Sequence, residues 1–478
     1  MRYVMYGLLV MAFSLQSVNR LYAQLERYEL GRKLRLFEET WETQKSEEIR
    51  STAAREMNTA VMSFFGLKFP DAAKAMDRGT RNLANFDDAQ AELLSLAVKP
   101  RSRWLDTSQS RFEFELFRFY PVSTQAQPEV VLTYKWLPEK QEAGTAEEIA
   151  VKIAERTSIP VPGQAGDYRL QLTLKTNVNG AVRTITQEYG TISFSSNLHQ
   201  RMEKLGAQVK ELDSRSTVDA MTAQHLFNIL DRLHKQETLE TDYPADRLLQ
   251  QCEGALEALT QNRPYFSQQQ GQMWLNLKTA AKGSVVVRVQ VPAIEAGKKV
   301  PVVLALHGAG GSENLFFDGY GNGKVAKLAA ERGWFVVAPR SSLSKPGHGE
   351  TLEELARLFP AMDLGKVCVV GHSMGAGEAL REACAHPECF AAIAALGGGG
   401  GTKAAKGKEE VFQKLPMYVG VGEYDFALRQ AEALAANLKK TGIQDVTYKK
   451  FQRLEHMIIV QEALPEVFQF FEQCVKQK

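Results

Sequence analysis

The chain is poor in cysteine, carries no excess of either charge and, beyond its first two dozen residues, has no long apolar run. Each shortage excludes something. Five cysteines in 478 residues are too few for a disulfide scaffold, and neither a CxxC pair nor a zinc-ligand spacing occurs. Their odd number leaves at least one thiol free or paired outside the chain. Cys384 and Cys389 are a candidate pair in an oxidising compartment, whereas Cys368 sits in an apolar run as a small core residue. The 58 basic and 56 acidic side chains give a formal charge of +2, so no strong field steers the protein to nucleic acid. No repeat of twenty to fifty residues stands out, which argues against a propeller or solenoid. No motif asks for a metal or another cofactor.

What is present fits globular material, with 44% hydrophobic and 24% charged residues. Single cores stop growing near roughly 250 to 300 residues, so two or more domains are expected. At the start, Arg2 precedes a mostly apolar run from Tyr3 to about Val18, and Leu21-Tyr22-Ala23 offers a small residue just before Gln24. Residues 1–23 therefore have the pattern of an export signal. The run falls short of the ~20 apolar residues a spanning helix needs. The expected product is exported, periplasmic or secreted, with no stable membrane insertion after cleavage.

Periodicity divides the next part into three blocks. Over residues 24–110 apolar residues recur three and four apart, as in Gln90-Ala91-Glu92-Leu93-Leu94-Ser95-Leu96, which predicts helices. Over 111–195 the period shortens to two, as in Phe112-Glu113-Phe114-Glu115-Leu116, and Asn179-Gly180 marks a hairpin. Over 196–265 the helical period returns, with Leu226, Phe227, Leu230 and Leu233 on one face. The β-rich block is expected to shield the C-terminal region or to bind a glycan or the cell surface.

From about residue 272 to the end, short apolar strands alternate with helices, the signature of a mostly parallel sheet covered on both faces. Strands are expected at Val285–Val291, Val302–Leu306, Trp334–Ala338, Val367–Val370, Ala391–Leu396, Met417–Val421 and Val446–Phe451. One of them runs into Gly371-His372-Ser373-Met374-Gly375. A serine on a tight strand-to-helix turn has its hydroxyl exposed above the sheet, and glycines two residues to either side make room for the turn. Ser373 is the candidate nucleophile.

A hydroxyl is a poor nucleophile until a base takes its proton, so a histidine and an orienting carboxylate must accompany it. In the order nucleophile, acid, histidine, the histidines left are His386 and His456. His386 ends the nucleophile helix and would point away, while His456 follows the last strand and is the candidate base. The acid should follow the preceding strand, which runs into Gly422-Glu423-Tyr424-Asp425. Asp425 is preferred, with Glu423 as the local rival, and Asp445 precedes a strand. The negative oxygen formed in acyl transfer needs preorganised donors. Met374 supplies one N–H, and the small-residue loop His307-Gly308-Ala309-Gly310-Gly311 supplies the other, from Ala309 or alternatively Gly310. His307 is expected to hydrogen-bond within that loop. Phe316, Phe317 and Tyr320 are candidates to line an acyl or aromatic site.

The stretches LALHGAGGSENLFF, WFVVAP, VVGHSMGAGEAL, GEYD and EHM resemble the α/β-hydrolase superfamily. Within it, the chain is similar to secreted esterases such as polyhydroxybutyrate depolymerases and feruloyl or acetylxylan esterases. The resemblance covers the last two hundred or so residues and none of 25–265. It implies a triad of Ser373, Asp425 and His456, no cofactor, and ester hydrolysis through an acyl-enzyme. The expected partner is a small-molecule or polymer-attached ester, with a glycan as a possible carrier. Two other classes stay open: a prolyl-oligopeptidase-like serine peptidase, which uses the same triad order, and a binding protein with a relic hydrolase domain. The short connection after Leu396 predicts no large helical cap and a cleft open to water.

Overall fold

A computed structural model of the chain describes residues 18–122, 130–138, 147–178, 180–212, 216–280, 283–295, 297–340 and 347–477. Most of the expected export signal lies outside them. Among the described residues the chain opens with helices α1 (Val18–Thr43), α2 (Glu47–Phe65), α3 (Phe69–Ala84) and α4 (Asp88–Leu94). Alanines let α2 and α3 pack closely: Ala53, Ala54, Ala60, Ala72, Ala73 and Ala75 are all buried. Gly79 of α3 accepts the Phe37 ring of α1 where a Cβ would stand 2.4 Å from it. Helix α1 is unusual in burying charge. Lys33 lies 2.6 Å from Asp77, and Arg32 lies 2.8 Å from Glu29, all out of contact with water. Such burial is tolerated because each charge has an opposite partner and hydrogen bonds.

The strands β1 (Leu96–Pro100), β2 (Trp104–Asp106), β3 (Arg111–Arg118), β4 (Val130–Pro138), β5 (Glu147–Val151), β6 (Arg156–Pro160), β7 (Gly166–Val178) and β8 (Ala181–Ser195) follow. The strands start at Leu96, before the alternation becomes visible at Arg111. They form a sheet of order β1-β3-β6 and another of order β2-β8-β7-β4-β5. Both contribute inward residues, among them Phe112, Leu116, Leu132, Leu172 and Phe194, to one apolar cluster. In the β7–β8 hairpin Val178 pairs with Ala181, and Gly180 has φ 80°. Asn179 lies outside the described residues. Helices α5 (Leu198–Lys210), α6 (Val218–His234) and α7 (Ala245–Thr260) come next.

The C-terminal domain is built on strands β9 (Gly271–Thr279), β10 (Gly283–Val291), β11 (Val300–Leu306), β12 (Phe335–Pro339), β13 (Met362–His372), β14 (Ala392–Leu396), β15 (Met417–Gly422) and β16 (Val446–Phe451). Their order is β16-β15-β14-β13-β11-β12-β10-β9. Pairings from β12 to β16 are parallel, and β10 runs antiparallel to both of its neighbours. Every strand expected from the sequence is there, and β9 is an addition. The helices between them are α8 (Leu315–Asp318), α9 (Tyr320–Arg332), α10 (His348–Leu358), α11 (Met374–Ala385), α12 (Glu409–Gln413), α13 (Leu428–Lys440) and α14 (Ile458–Gln477).

Alternation along the central strands sends side chains to opposite faces. Val303, Ala305, Val336, Ala338, Cys368 and Val370 join a core with α1 to α3, α9 and α14. Val302, Leu304, Leu306, Val337, Val367 and Val369 join another with α5 to α7, α10, α11 and α13. Each fully buried Val or Leu contributes about 1.5–3 kcal/mol. All five cysteines are free thiols, so Cys384 and Cys389 are not bridged. No helix among the described residues is long and apolar enough to cross a membrane.

Candidate active site

Ser373 stands between β13 and α11 with φ 55° and ψ −113°, a conformation L-residues rarely adopt. The surrounding contacts enforce it. A Cβ on Gly371 would lie 2.2 Å from the Gly375 carbonyl oxygen, and one on Gly375 would lie 2.0 Å from that of Leu306. Neither distance is physically possible without moving a strand. The Ser373 N–H donates to the Leu396 carbonyl at 2.8 Å, tying the turn to the end of β14.

The candidate acid and base come from neighbouring strand ends. His456 Nδ1 is 2.8 Å from Asp425 Oδ1, and both side chains are buried. The same carboxylate oxygen accepts the Ala427 N–H at 2.8 Å. Two backbone bonds pin the acid loop to the histidine loop, from Glu423 N–H to Phe451 O and from Tyr424 N–H to Leu454 O, both at 2.8 Å. Gly397, with φ 55°, keeps the space beside them clear, since its Cβ would stand 2.8 Å from Asp425 Oδ2. Among the described residues no hydrogen bond joins Ser373 Oγ to His456. Such bonds are often long in an empty site and tighten with substrate.

The rivals are placed elsewhere. Glu423 accepts the Arg453 N–H at 2.8 Å. His386 is 52% exposed and faces Glu388 at 3.9 Å, at the far end of α11. Asp445 lends its carbonyl to Met417 N–H, before β16. His307 is the loop-bonding residue expected, with Nδ1 2.8 Å from the Gly308 carbonyl. Gly308 to Gly311 form a turn closed by the Gly311 N–H at 3.1 Å, with Gly310 at φ 81°. Among the described residues neither the Ala309 nor the Met374 N–H donates to a protein acceptor. Both stay available to an anionic oxygen.

Phe316, Phe317 and Tyr320 do not line a substrate site. They are buried in the core beneath the loop, where Phe316 and Tyr320 stack edge to face at 4.8 Å. The expectation of an uncapped cleft also needs correction. The connection after Leu396 holds no large helix, but cover arrives from the N-terminal helices. Arg27 of α1 donates to the Gly310 carbonyl at 2.8 Å, and the Phe64 ring lies where a Gly310 Cβ would meet it at 3.0 Å. Ser51 reaches the Tyr424 hydroxyl at 3.1 Å, one residue before the acid. Phe65 packs on Phe426 at 6.0 Å between centroids, and Phe426 on His456 at 4.2 Å. Phe65 and Phe426 are 40% and 46% exposed, leaving an apolar rim beside His456.

Other contributors carried no motif. Glu455, fully buried, accepts the N–H groups of Met457 and Ile458 at 2.8 and 2.7 Å and so starts α14. Burial pushes its carboxyl up to about 8. Glu38 of α1 is likewise pushed up to about 7 by burial, against the backbone N–H groups of Asn322, Gly321 and Tyr320. A carboxylate just before a helix is a cap signal that could have identified Glu455. Glu38 had no such signal.

Fold and site define a class. Residues 302–457 match the model of the alpha/beta hydrolase family, and the C-terminal domain is an α/β-hydrolase domain. No curated protein matches the chain. Among solved structures, an S-formylglutathione hydrolase from Staphylococcus aureus is 12% identical, covering 42% of this chain and 98% of its own, with a TM-score of 0.35. A ferulic acid esterase is 16% identical over 43% of this chain and 99% of its own, at 0.37. A thermostable esterase is 14% identical over 79% of this chain and 99% of its own, at 0.38. Likenesses of this size carry nothing about substrate.

Proposed function

We propose that the chain is an exported serine hydrolase that cleaves carboxylic esters through an acyl-enzyme on Ser373. The observation that carries this reading is the strained Ser373 backbone, held between two glycines that admit no side chain. Strain of this kind persists where surroundings over-determine it, and here it presents a hydroxyl. In the proposed reaction His456 Nε2 takes the Ser373 proton as Oγ attacks the ester carbonyl. Asp425 holds the imidazole by its Nδ1–H and stabilises the imidazolium. The Met374 and Ala309 N–H groups meet the carbonyl oxygen as it becomes negative. Collapse breaks the bond to the alcohol, which leaves with the proton from His456. Water then attacks the acyl carbonyl and gives its proton to the same base, the bond to Ser373 Oγ breaks as Oγ takes that proton back from His456, and the acid is released. No step needs a metal or cofactor.

The test is labelling by a fluorophosphonate, with a panel of esters and peptides, on the wild type and Ser373→Ala. Labelling and ester turnover should both vanish in the variant. Labelling that survives the substitution would remove Ser373 from the mechanism, and preferential peptide cleavage would make the protein a peptidase. Export rests on the apolar run alone, and an N-terminus at Gln24 on material recovered outside the cytoplasm would establish it.

A further inference from the structure

The motif places a second histidine, His372, directly before the nucleophile, and the proposed chemistry leaves it unused. Its ring is buried and lies 4.6 Å from that of His456 between centroids. His372 Nε2 is 2.8 Å from the backbone carbonyl oxygen of His456, and Nδ1 is 2.6 Å from the Tyr320 hydroxyl. A carbonyl can only accept, so Nε2 carries the hydrogen. Burial and the neighbouring His456 hold the ring well below the ordinary imidazole range, so it is neutral and Nδ1 is bare. The phenol must therefore donate to Nδ1. A Cβ on Gly308 would stand 3.5 Å from the same phenol oxygen, so the hydroxyl sits between the oxyanion loop and the histidine loop.

Tyr320 is itself held in an improbable place. Tyr320, Gly321, Asn322 and Gly323 have φ of 51°, 80°, 53° and 72°, a full left-handed turn at the start of α9. At Gly323 a Cβ would stand 2.4 Å from the Phe317 carbonyl oxygen. Successive N–H groups in such a turn converge into a nest that suits an anion. The carboxylate occupying it is Glu38, from the N-terminal helix, which accepts the Asn322 N–H at 3.3 Å.

We propose that Tyr320 and His372 are positioning residues for His456: the His456 carbonyl sets His372 as the Nε2–H tautomer, the phenol donates to the bare Nδ1 and holds the ring where its N–H reaches that carbonyl, and Glu38 sets the turn that presents the phenol. The proposal rests on His456 being the base of the reaction above. Without the phenol, Nδ1 has no donor and the ring loses the contact that aims its Nε2–H at the carbonyl. The base would be held less firmly, while the substrate's own binding groups would be untouched.

The full-length wild type, Tyr320→Phe, His372→Ala and their double variant separate the outcomes, using a short-chain ester, thermal melts and the imidazole ¹⁵N signals of His372. Tyr320→Phe should lower kcat by about 10- to 100-fold, the scale of a misplaced catalytic group, with KM and melting preserved. The double variant should be no slower than His372→Ala, because both changes release one hold. The ¹⁵N signals should show the Nε2–H tautomer in both proteins, with the Nδ1 signal shifted in Tyr320→Phe by the loss of its hydrogen bond. Glu38→Gln, which keeps an acceptor oxygen, should retain activity that Glu38→Leu loses. Wild-type kcat in Tyr320→Phe, or losses that multiply in the double variant, would overturn the proposal. A wild type inert to esters and fluorophosphonate would instead refute the esterase reading, and the ¹⁵N signals would still report on Tyr320.

Discussion

Two sets of helices flank the α/β-hydrolase sheet, and their sequences announce them in the same way. Both show helical periodicity. The set before the β-rich domain, α1 to α3, reaches the oxyanion loop through Arg27 and Phe64, the acid loop through Ser51 and Phe65, and the turn at Tyr320 through Glu38. The set after it, α5 to α7, packs Leu226, Leu230, Leu248 and Leu256 into the other core, and none of the hydrogen bonds described links it to Ser373, Asp425 or His456. Periodicity reports that a face is buried and is silent about what lies opposite. The difference teaches that cover for this catalytic face is built from outside the catalytic domain.

The largest effects should come from breaking each set at its core. Lys33→Met leaves Asp77 buried with the Tyr120 hydroxyl and no cation, and losing one partner of a buried pair costs about 3–5 kcal/mol. Leu230→Ala empties a fully buried site in α6 and costs about 2–5 kcal/mol. Both should lower the melting temperature markedly. If the sets differ as described, Lys33→Met also lowers kcat at temperatures where it is still folded, and Leu230→Ala does not. Equal kcat losses in melting and turnover assays of the two variants would erase the distinction.

The legibility of the chain follows the same divide. Strand, glycine turn and small-residue helix are local features, so the proposed nucleophile could be named from a dozen residues around Ser373. Asp425 and His456 were named from chain order as the proposed acid and base, and each stands just after a parallel strand, β15 and β16. The charged stretch of α1 could not be interpreted this way. Glu29, Arg32, Lys33 and Glu38 look like a solvated face, yet all are buried, because the β-rich domain and the hydrolase domain both pack on that helix. Arg27 and Gly310 are 283 positions apart, and no spacing rule joins them. Strand β9 was missed because Met273, Trp274 and Leu275 are buried in succession, which hides the period of two.

A smaller effect should appear at the rim. Phe65 belongs to α2 but touches Phe426, which packs on His456. Exposed apolar surface beside a reacting centre suits an apolar part of the substrate. An aromatic contact of this kind is worth about 0.5–1.5 kcal/mol. Phe65→Ala should therefore raise KM several-fold for esters with large apolar groups and leave acetate esters unchanged. Val182→Ser, also at an exposed apolar residue but on the β7–β8 hairpin, should change neither. A rise in KM that is the same for every ester would show that the rim supports the fold rather than the substrate.

The smallest effect concerns pH and a residue that belongs to neither helical set. Glu455 lies beside the proposed base, buried, with its carboxyl pushed up to about 8 from an ordinary 4.5. A raised carboxyl means that the folded protein keeps a proton the unfolded chain has lost. Its contribution to stability is fully present below about 4.5 and is lost as pH rises through about 8. Melting temperature should therefore decline gradually across that window. Glu455→Gln keeps an oxygen for one of the Met457 and Ile458 N–H groups and has no proton to lose. Melts of both proteins across the window should show the decline flattened in Glu455→Gln, with Glu38 supplying a residual slope because its carboxyl is raised to about 7. An identical slope in the two proteins would mean that the histidine loop is held by its backbone bonds to the acid loop alone, and that Glu455 serves as a simple helix cap.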